Sequence, residues 1–336
     1  MGNAMQTIPS DWTLTASAFN WTEEVIRADR PAPDVVVNIA RTVCSTIELE
    51  PGQLWRTFPA SSAEDVDSFS AALAEVGGKV SIVGVSLDDW VDASSRRSND
   101  ERLAFLLPQL RAARRVGAEG VRLPLGQAGS SLLTRLLPEL HDLDLTLYEE
   151  AQGQQSPTSS DFASAYGAIA ELDDLRVRLL IDTSMLMPAL PQSFLAEVSA
   201  GGVPRDFVKR LSEDWLAPAT HRAAVAYLRS GEVPPAIETL CRNLLFRFGR
   251  SDPADLRSVM HLVGGIHLKF WDLEDDDRRV SKPMRDIGRE LARANFSGTI
   301  CSEWGGHAWL TADPTTMTRA HLVLAQDALI AGLGMP

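Results

Sequence analysis

The sequence ERLAFLLPQLRAARRVGAEGVRLPL, residues 101–125, contains one complete copy of the unit from which the chain is built. A helix-type segment at 101–116 is followed by a glycine at position 117 and then by a short apolar run at 120–125. Glycine commonly ends a helix because it adopts the left-handed conformation without steric strain. The same order occurs again near the end of the chain, where a helix-type segment at 283–294 is followed by Gly298 and an apolar run at 298–303. We interpret it as a repeated β–α unit of a parallel sheet.

Eight apolar runs of β type occur along the chain. They are LTASAF (14–19), STIELE (45–50), KVSIVGVSL (79–87), GVRLPL (120–125), LTLYEE (145–150), VRLLID (177–182), GGIHLKFW (264–271) and GTICSE (298–303). An open sheet that binds a dinucleotide would have a G-x-G-x-x-G loop after its first strand, and none follows residue 19. We therefore predict an α/β fold, a (β/α)8 TIM barrel that forms one domain over residues 1–336, with a helical insertion at 183–262 between strands 6 and 7.

The composition excludes several classes of protein. The chain has 45 Asp and Glu against 32 Lys and Arg, which gives a net charge of −13 and argues against binding to nucleic acid. It has three scattered cysteines and no apolar run of membrane-spanning length, and its first residues lack the pattern of a secretory signal. We therefore expect a cytoplasmic protein that binds neither nucleic acid nor a membrane.

Charged side chains lie at the carboxyl ends of the last four predicted strands, where a barrel of this kind carries its chemistry. Strand 6 ends in Asp182, strand 7 contains His267 and strand 8 ends in Glu303. The alternation of side chains along a strand places these three inside the barrel. In strand 5 the same alternation selects Glu150 over Glu149.

Three carboxylates and an imidazole at one end of a barrel would be costly without a cation between them. Each also has a structural explanation, because Asp182 can form an Asx turn, His267 can be a hydrogen-bonded core residue, and Glu150 and Glu303 can cap helices. Their coincidence on one face favours a metal site. We predict that the four residues bind one divalent ion, Mn²⁺ first, with Mg²⁺, Co²⁺ or Zn²⁺ as alternatives.

Tryptophans follow several of the predicted strands. We expect Trp55, Trp271 and Trp304 to line the mouth of the barrel and to bind substrate through their flat apolar faces. The alternative is that these large side chains only fill the mouth or form a subunit interface.

The four charged residues, with the sequence His267-Leu268-Lys269 in strand 7, resemble the set found in xylose isomerase-like barrels. These are sugar isomerases, sugar-phosphate epimerases and relatives that bind one or two divalent ions with such a set. The resemblance extends over nearly the whole chain. Where members of the family commonly continue H-x-K-D, this chain has Phe270.

Within that superfamily, residues 302–307 (SEWGGH) resemble the α-subunits of bacterial C-glycoside deglycosidases. Those enzymes cleave 3-oxo C-glycosides by proton abstraction and elimination, together with a small β-subunit. In that group a histidine follows two residues after the strand 5 glutamate, whereas this chain has Gln152.

These features lead us to expect a metal-dependent isomerase or epimerase that moves a proton at carbon next to a carbonyl of a sugar or sugar conjugate. Glu150 and Glu303 would be the acid and base, and Lys269 and His307 would support substrate oxygens or the leaving group. The alternatives are a C-glycoside deglycosidase α-subunit and a non-catalytic sugar-binding barrel subunit. We expect either a homo-oligomer or a complex with a small second subunit.

Overall fold

The computed structural model describes residues 7–334, and within them eight parallel strands form a closed barrel in sequence order. The strands are β1 (Trp12–Ser17), β2 (Thr46–Leu49), β3 (Lys79–Gly84), β4 (Gly120–Pro124), β5 (Thr146–Ala151), β6 (Val177–Asp182), β7 (Val263–Phe270) and β8 (Gly298–Trp304). The predicted fold class, a (β/α)8 barrel, is confirmed.

The ends of the strands differ from the prediction by a few residues. β1 begins two residues early because Trp12 pairs with Gly298 of β8, and it ends at Ser17, whose side chain accepts a hydrogen bond from Phe19 N and caps a 3-10 turn. β3 ends at Gly84, before the predicted end at residue 87.

Helices alternate with the strands around the barrel. They are α1 (Thr22–Arg27), α2 (Ala32–Thr42), α3 (Pro51–Leu54), α4 (Ala63–Glu75), α5 (Asn99–Arg115), α6 (Gly129–Asp142), α7 (Ala163–Leu172), α8 (Gln192–Ala200), α9 (Arg205–Glu213), α10 (Pro218–Arg229), α11 (Glu238–Phe246), α12 (Ser281–Arg293) and α13 (Pro314–Leu333). Within residues 7–334, no helix combines the length and the apolar character needed to cross a lipid bilayer.

The chain between β6 and β7 carries α8 to α11 and has a hydrophobic cluster of its own. Phe194, Leu211 and Phe248 are fully buried in this cluster. Trp271, which follows β7, also belongs to it, so these helices pack directly on the carboxyl end of the barrel. An aromatic pair joins the helices to the barrel, because the rings of Phe248 and Trp271 meet edge to face with their centroids 5.0 Å apart.

Asn20 connects the first strand to the last. Its Nδ2 donates hydrogen bonds to Ser302 O (3.1 Å) and Thr318 Oγ1 (3.0 Å), and its Oδ1 accepts one from Trp304 N (2.7 Å). The side chain is 1% exposed, so water cannot replace these bonds. Asn20 therefore holds the turn after β1 against both β8 and α13.

We predict that Asn20→Ala lowers the free energy of unfolding by about 2–3 kcal/mol, because it leaves buried polar groups of β8 and α13 without partners. Urea unfolding followed by circular dichroism measures the change. The control is Asn38→Ala, a half-buried position on α2 whose side chain makes no hydrogen bond within residues 7–334, and this variant should unfold like the wild type. Equal stability of the two variants would contradict the assigned role of Asn20.

Candidate active site

The structure brings the four predicted metal ligands together at the carboxyl end of the barrel. Glu150 on β5, Asp182 on β6, His267 on β7 and Glu303 on β8 each offer one ligand atom, and these atoms lie within 4.8 Å of one another. None of the four side chains is more than a few per cent exposed. A group of this composition can hold one divalent cation.

The ring of His267 is oriented by carboxylates on both sides. Its Nδ1 lies 3.1 Å from Glu150 Oε1 and 3.1 Å from Glu303 Oε2, while its Nε2 lies 2.9 Å from Glu48 Oε2. Burial opposes a charge on the imidazole, but the three surrounding glutamates raise its pKa well above the usual value. A cation bound at Nδ1 would also be in reach of Glu150 and Glu303. Glu48 would then accept a hydrogen bond from the proton on Nε2, an arrangement that is usual for metal-binding histidines.

Asp182 provides the test of whether these residues fit a metal. Its Oδ1 accepts a hydrogen bond from Ser184 N (2.6 Å), but its buried Oδ2 has no hydrogen-bond partner among the described residues. Burial, with the nearby charges of Glu303 and Glu150, raises the pKa of Asp182 to about 7. A buried carboxylate oxygen without a partner is costly unless a ligand completes it, so the donor set fits a divalent cation.

Glu149 faces the other side of the sheet. Its side chain accepts hydrogen bonds from the backbone N–H groups of Gly126 (3.0 Å) and Ala128, which precede α6. Burial raises the pKa of Glu149 to about 7. The neighbouring glutamates of β5 thus have different tasks, because Glu149 supports the start of a helix and Glu150 lies inside the barrel.

Arg122 on β4 and two glutamates from the β2 region were missed by the sequence prediction. The guanidinium contacts Glu48 Oε1 (2.8 Å) and Glu150 Oε2 (2.6 Å), and it also pairs with Glu50. Burial alone would raise the pKa of Glu150, but the charges of Arg122 and His267 lower it to about 2. Arg122 therefore keeps Glu150 deprotonated.

The signal for these residues was present in the sequence. Along STIEL-E, the glutamates at 48 and 50 alternate with the apolar residues at 47 and 49, and Arg122 lies between two apolar residues of GVRLPL. The alternation that places Glu150 inside the barrel places them there as well.

A cavity of about 200 Å³ lies beside the cluster. Of the predicted site residues, Glu150, Glu303, Lys269 and Trp271 line it. Lys269 Nζ lies 2.9 Å from Glu303 Oε2, so its charge is neutralised within the site. This cavity is where a small substrate can reach the buried acids.

Glu50 also lines this cavity, in a space that Gly84 leaves open. A Cβ at Gly84 would lie 2.7 Å from Glu50 Oε2, too close for a normal contact. Burial raises the pKa of Glu50 to about 7, although Arg122 opposes the rise. Glu50 is thus a carboxyl group that faces the cavity and stands outside the four-residue cluster.

His307 is not among the residues that line this cavity. Its ring meets that of Phe19, which does line the cavity, edge to face with the centroids 4.8 Å apart. Burial and the charge of Lys269 lower the pKa of His307 to about 4, so the imidazole is neutral. Its side chain is half-buried, and its buried Nε2 has no hydrogen-bond partner among the described residues, so its support of substrate stays a prediction.

Trp304 and Trp55, which we expected to bind substrate, are also not among the residues that line this cavity. Trp304 follows the inward-facing Glu303 and so points outward, where it is 1% exposed and donates a hydrogen bond from Nε1 to Trp271 O (2.7 Å). Trp55 lies beyond α3 and packs against Phe69 of α4, in a separate groove. Position after a strand did not predict which way either ring faces.

No family model matches the chain. It is 25% identical over 291 residues to the C-glycoside deglycosidase alpha subunit of Arthrobacter globiformis, a match that covers 84% of this chain and 82% of that protein. It is 25% identical over 283 residues to the 3'-dehydrocarminate deglycosidase alpha subunit of Microbacterium sp., covering 80% of each.

Solved structures share the fold at lower identity. A D-psicose 3-epimerase superposes with a TM-score of 0.56 at 12% identity, covering 94% of this chain and 99% of that one. A xylose isomerase domain protein from Planctomyces limnophilus gives 0.52 at 11%, covering 97% and 98%. The chain therefore has the fold of the xylose isomerase-like barrels, and its sequence is similar over most of its length to enzymes, the alpha subunits of C-glycoside deglycosidases.

Proposed function

We propose that this protein is a divalent-metal-dependent enzyme that removes a proton from carbon next to a carbonyl group of a sugar conjugate. The observation that carries the proposal is the buried group of three carboxylates and one histidine beside a cavity. Keeping four such side chains together costs free energy that a non-catalytic sugar-binding subunit has no reason to spend. We infer that Glu150, Asp182, His267 and Glu303 hold the ion, Mn²⁺ first among the candidates.

Isomerisation and epimerisation of a sugar begin with this step, and so does the cleavage of a C-glycoside. The similarity to C-glycoside deglycosidase alpha subunits favours cleavage. In our proposal this chain is likewise an alpha subunit that acts with a small second polypeptide on 3-oxo C-glycosides. Isomerisation or epimerisation is the alternative, and activity of the chain without any partner would favour it.

The proposed cleavage balances without an oxidant or a reductant. The C–H bond next to the ketone breaks, its proton moves to a carboxylate of the protein, and its electron pair is taken up by the ketone as an enolate. The enolate then returns to the ketone while its electron pair forms a double bond between the two sugar carbons. The bond between sugar and aglycone breaks in the same step, and its electron pair goes to the aglycone carbon, which takes a proton. When bound, the cation would polarise the ketone oxygen and so acidify this C–H bond.

We assign the first proton transfer to Glu303. It lines the cavity, and Lys269 beside it is placed to donate a hydrogen bond to a substrate oxygen. Although burial opposes it, the charges of Lys269 and His267 hold the pKa of Glu303 well below its usual value. Glu303 is therefore a weak base, which is why the C–H bond must be acidified before it can react.

We assign the return of a proton to the leaving carbon to Glu50. Gln152 lines the same cavity, but its amide does not ionise and so cannot act as an acid at neutral pH. Both Glu150 and Glu50 line the cavity and pair with Arg122, but the carboxyl of Glu150 is also held by His267, whereas that of Glu50 has no second partner of this kind within residues 7–334. Its pKa of about 7 allows it to be protonated in part of the molecules at neutral pH.

We predict that His267→Ala lowers the metal content of the protein and its activity together, because it removes the only nitrogen ligand of the four-residue group within residues 7–334. Elemental analysis after dialysis measures the metal. The matched control is Glu149→Gln, which alters the adjacent glutamate on the opposite face of β5 and should keep its metal. Full metal occupancy in the His267 variant would identify the histidine as a core residue.

We predict that Glu303→Gln reduces turnover at least about a hundredfold while substrate binding survives, because the amide keeps the shape and one oxygen but cannot accept a proton. The sharper measurement is exchange of carbon-bound hydrogen in deuterated water, with metal content checked in parallel. If wild-type protein loaded with Mn²⁺, together with its partner, exchanges no such hydrogen in any 3-oxo-glycoside that it binds, proton transfer at carbon is the wrong chemistry.

We predict a different outcome for Glu50→Gln. Deuterium exchange should continue, because the first proton transfer is intact, while release of the aglycone slows by at least about tenfold. Mass spectrometry of substrate and product from one reaction separates the two steps. Loss of exchange in this variant, with retention in Glu303→Gln, would reverse the two assignments.

A further inference from the structure

Arg247 is a cation at the cavity that the proposed reaction does not use. Three cationic side chains of the described residues line this cavity, and two of them are neutralised inside the site, Arg122 by glutamates and Lys269 by Glu303. Arg247 is exposed, and its guanidinium has no hydrogen bond or ion pair within residues 7–334. It is therefore free to pair with an anion that enters from solvent.

The backbone of Arg247 is fixed against the strands that carry the metal ligands. Arg247 ends α11, where its N–H donates to Asn243 O (3.1 Å). The carbonyl group of Phe246 packs on Gly153, which follows β5, so closely that a Cβ at Gly153 would overlap with it. Gly153 also has a φ of +56°, a conformation that other residues seldom adopt.

Hydrogen bonds reinforce this contact on the side of β6. Gly249 N donates to Ser184 O (2.7 Å), and Ser184 Oγ accepts from Gly153 N (2.9 Å). A Cβ at Gly249 would overlap with Gly153 O, so the two glycines let the two backbones touch. The segment that carries Arg247 is therefore attached directly to the loops after β5 and β6.

We propose that Arg247 binds a carboxylate on the outer part of the substrate, so that the preferred substrate is a glycoside with an acidic aglycone. A guanidinium pairs with a carboxylate through two parallel hydrogen bonds, which gives affinity and orientation together. Trp271 and Phe19 line the same cavity and offer apolar faces to the body of the aglycone. The inference rests on the proposed function in one respect only, namely that the sugar part of the ligand binds beside the buried acids.

The test compares two ligands that differ in charge and hardly in shape, 4-carboxyphenyl and 4-carbamoylphenyl β-D-glucopyranoside. Isothermal titration calorimetry on the metal-loaded protein with its partner measures both affinities without turnover. We expect the carboxylate to bind about tenfold more tightly than the amide, the range of one charge-assisted pair. Arg247→Gln should abolish this preference, and Arg247→Lys should retain part of it.

The matched control is Arg242→Gln. Arg242 is also exposed on α11, but it pairs with Glu238 and does not line the cavity, so the preference should be unchanged in this variant. Equal affinities for the two ligands in the wild type, a preference that survives Arg247→Gln, or no binding of the acid at its solubility limit would each overturn the proposal. Because no reaction is needed, failure of deuterium exchange would remove the proposed function and leave this result standing.

Discussion

The guanidinium of Arg122 lies among Glu48, Glu50 and Glu150, and the arrangement of the mouth depends on that contact. Acidic side chains gathered in a barrel repel one another, and a single planar cation with several donors can compensate three of them at once. The contact also links strands that are not neighbours, since Glu48 in turn orients His267 across the barrel. One side chain of β4 thus connects Glu150 on β5, the histidine on β7 and the cavity-facing Glu50.

Local patterns in the sequence were sufficient for the fold and for the four acids and bases of the cluster. Alternation along a strand predicts which side chains face inward, and parallel strands bring their carboxyl ends together, so Glu150 and Asp182 could be placed without a structure. Trp304 and Trp55 could not, because following a strand does not determine which way a ring turns. The same alternation predicts that Glu50 and Arg122 face inward, but it does not show that they pair with each other across strands.

Arg247 illustrates a different kind of information. It lies in the chain between β6 and β7, and its place beside the cavity is set by backbone contacts with residues that follow β5. Contacts over such a separation leave no periodicity or spacing in the sequence. The position of helices α8 to α11 beside the cavity was therefore found only from the structure, in which their hydrophobic cluster includes Trp271.

The segment that carries Arg247 is attached through glycines and main-chain hydrogen bonds, and this has a consequence for how this side of the cavity can evolve. The geometry at Gly153 and Gly249 depends on the absence of side chains, so those two positions tolerate little change. The side chains of Phe246 and Arg247 point into solvent or the cavity and take no part in the attachment. Successive substitutions there can alter the range of ligands accepted while the chemical centre below keeps its shape, so recognition and reactivity can diverge independently.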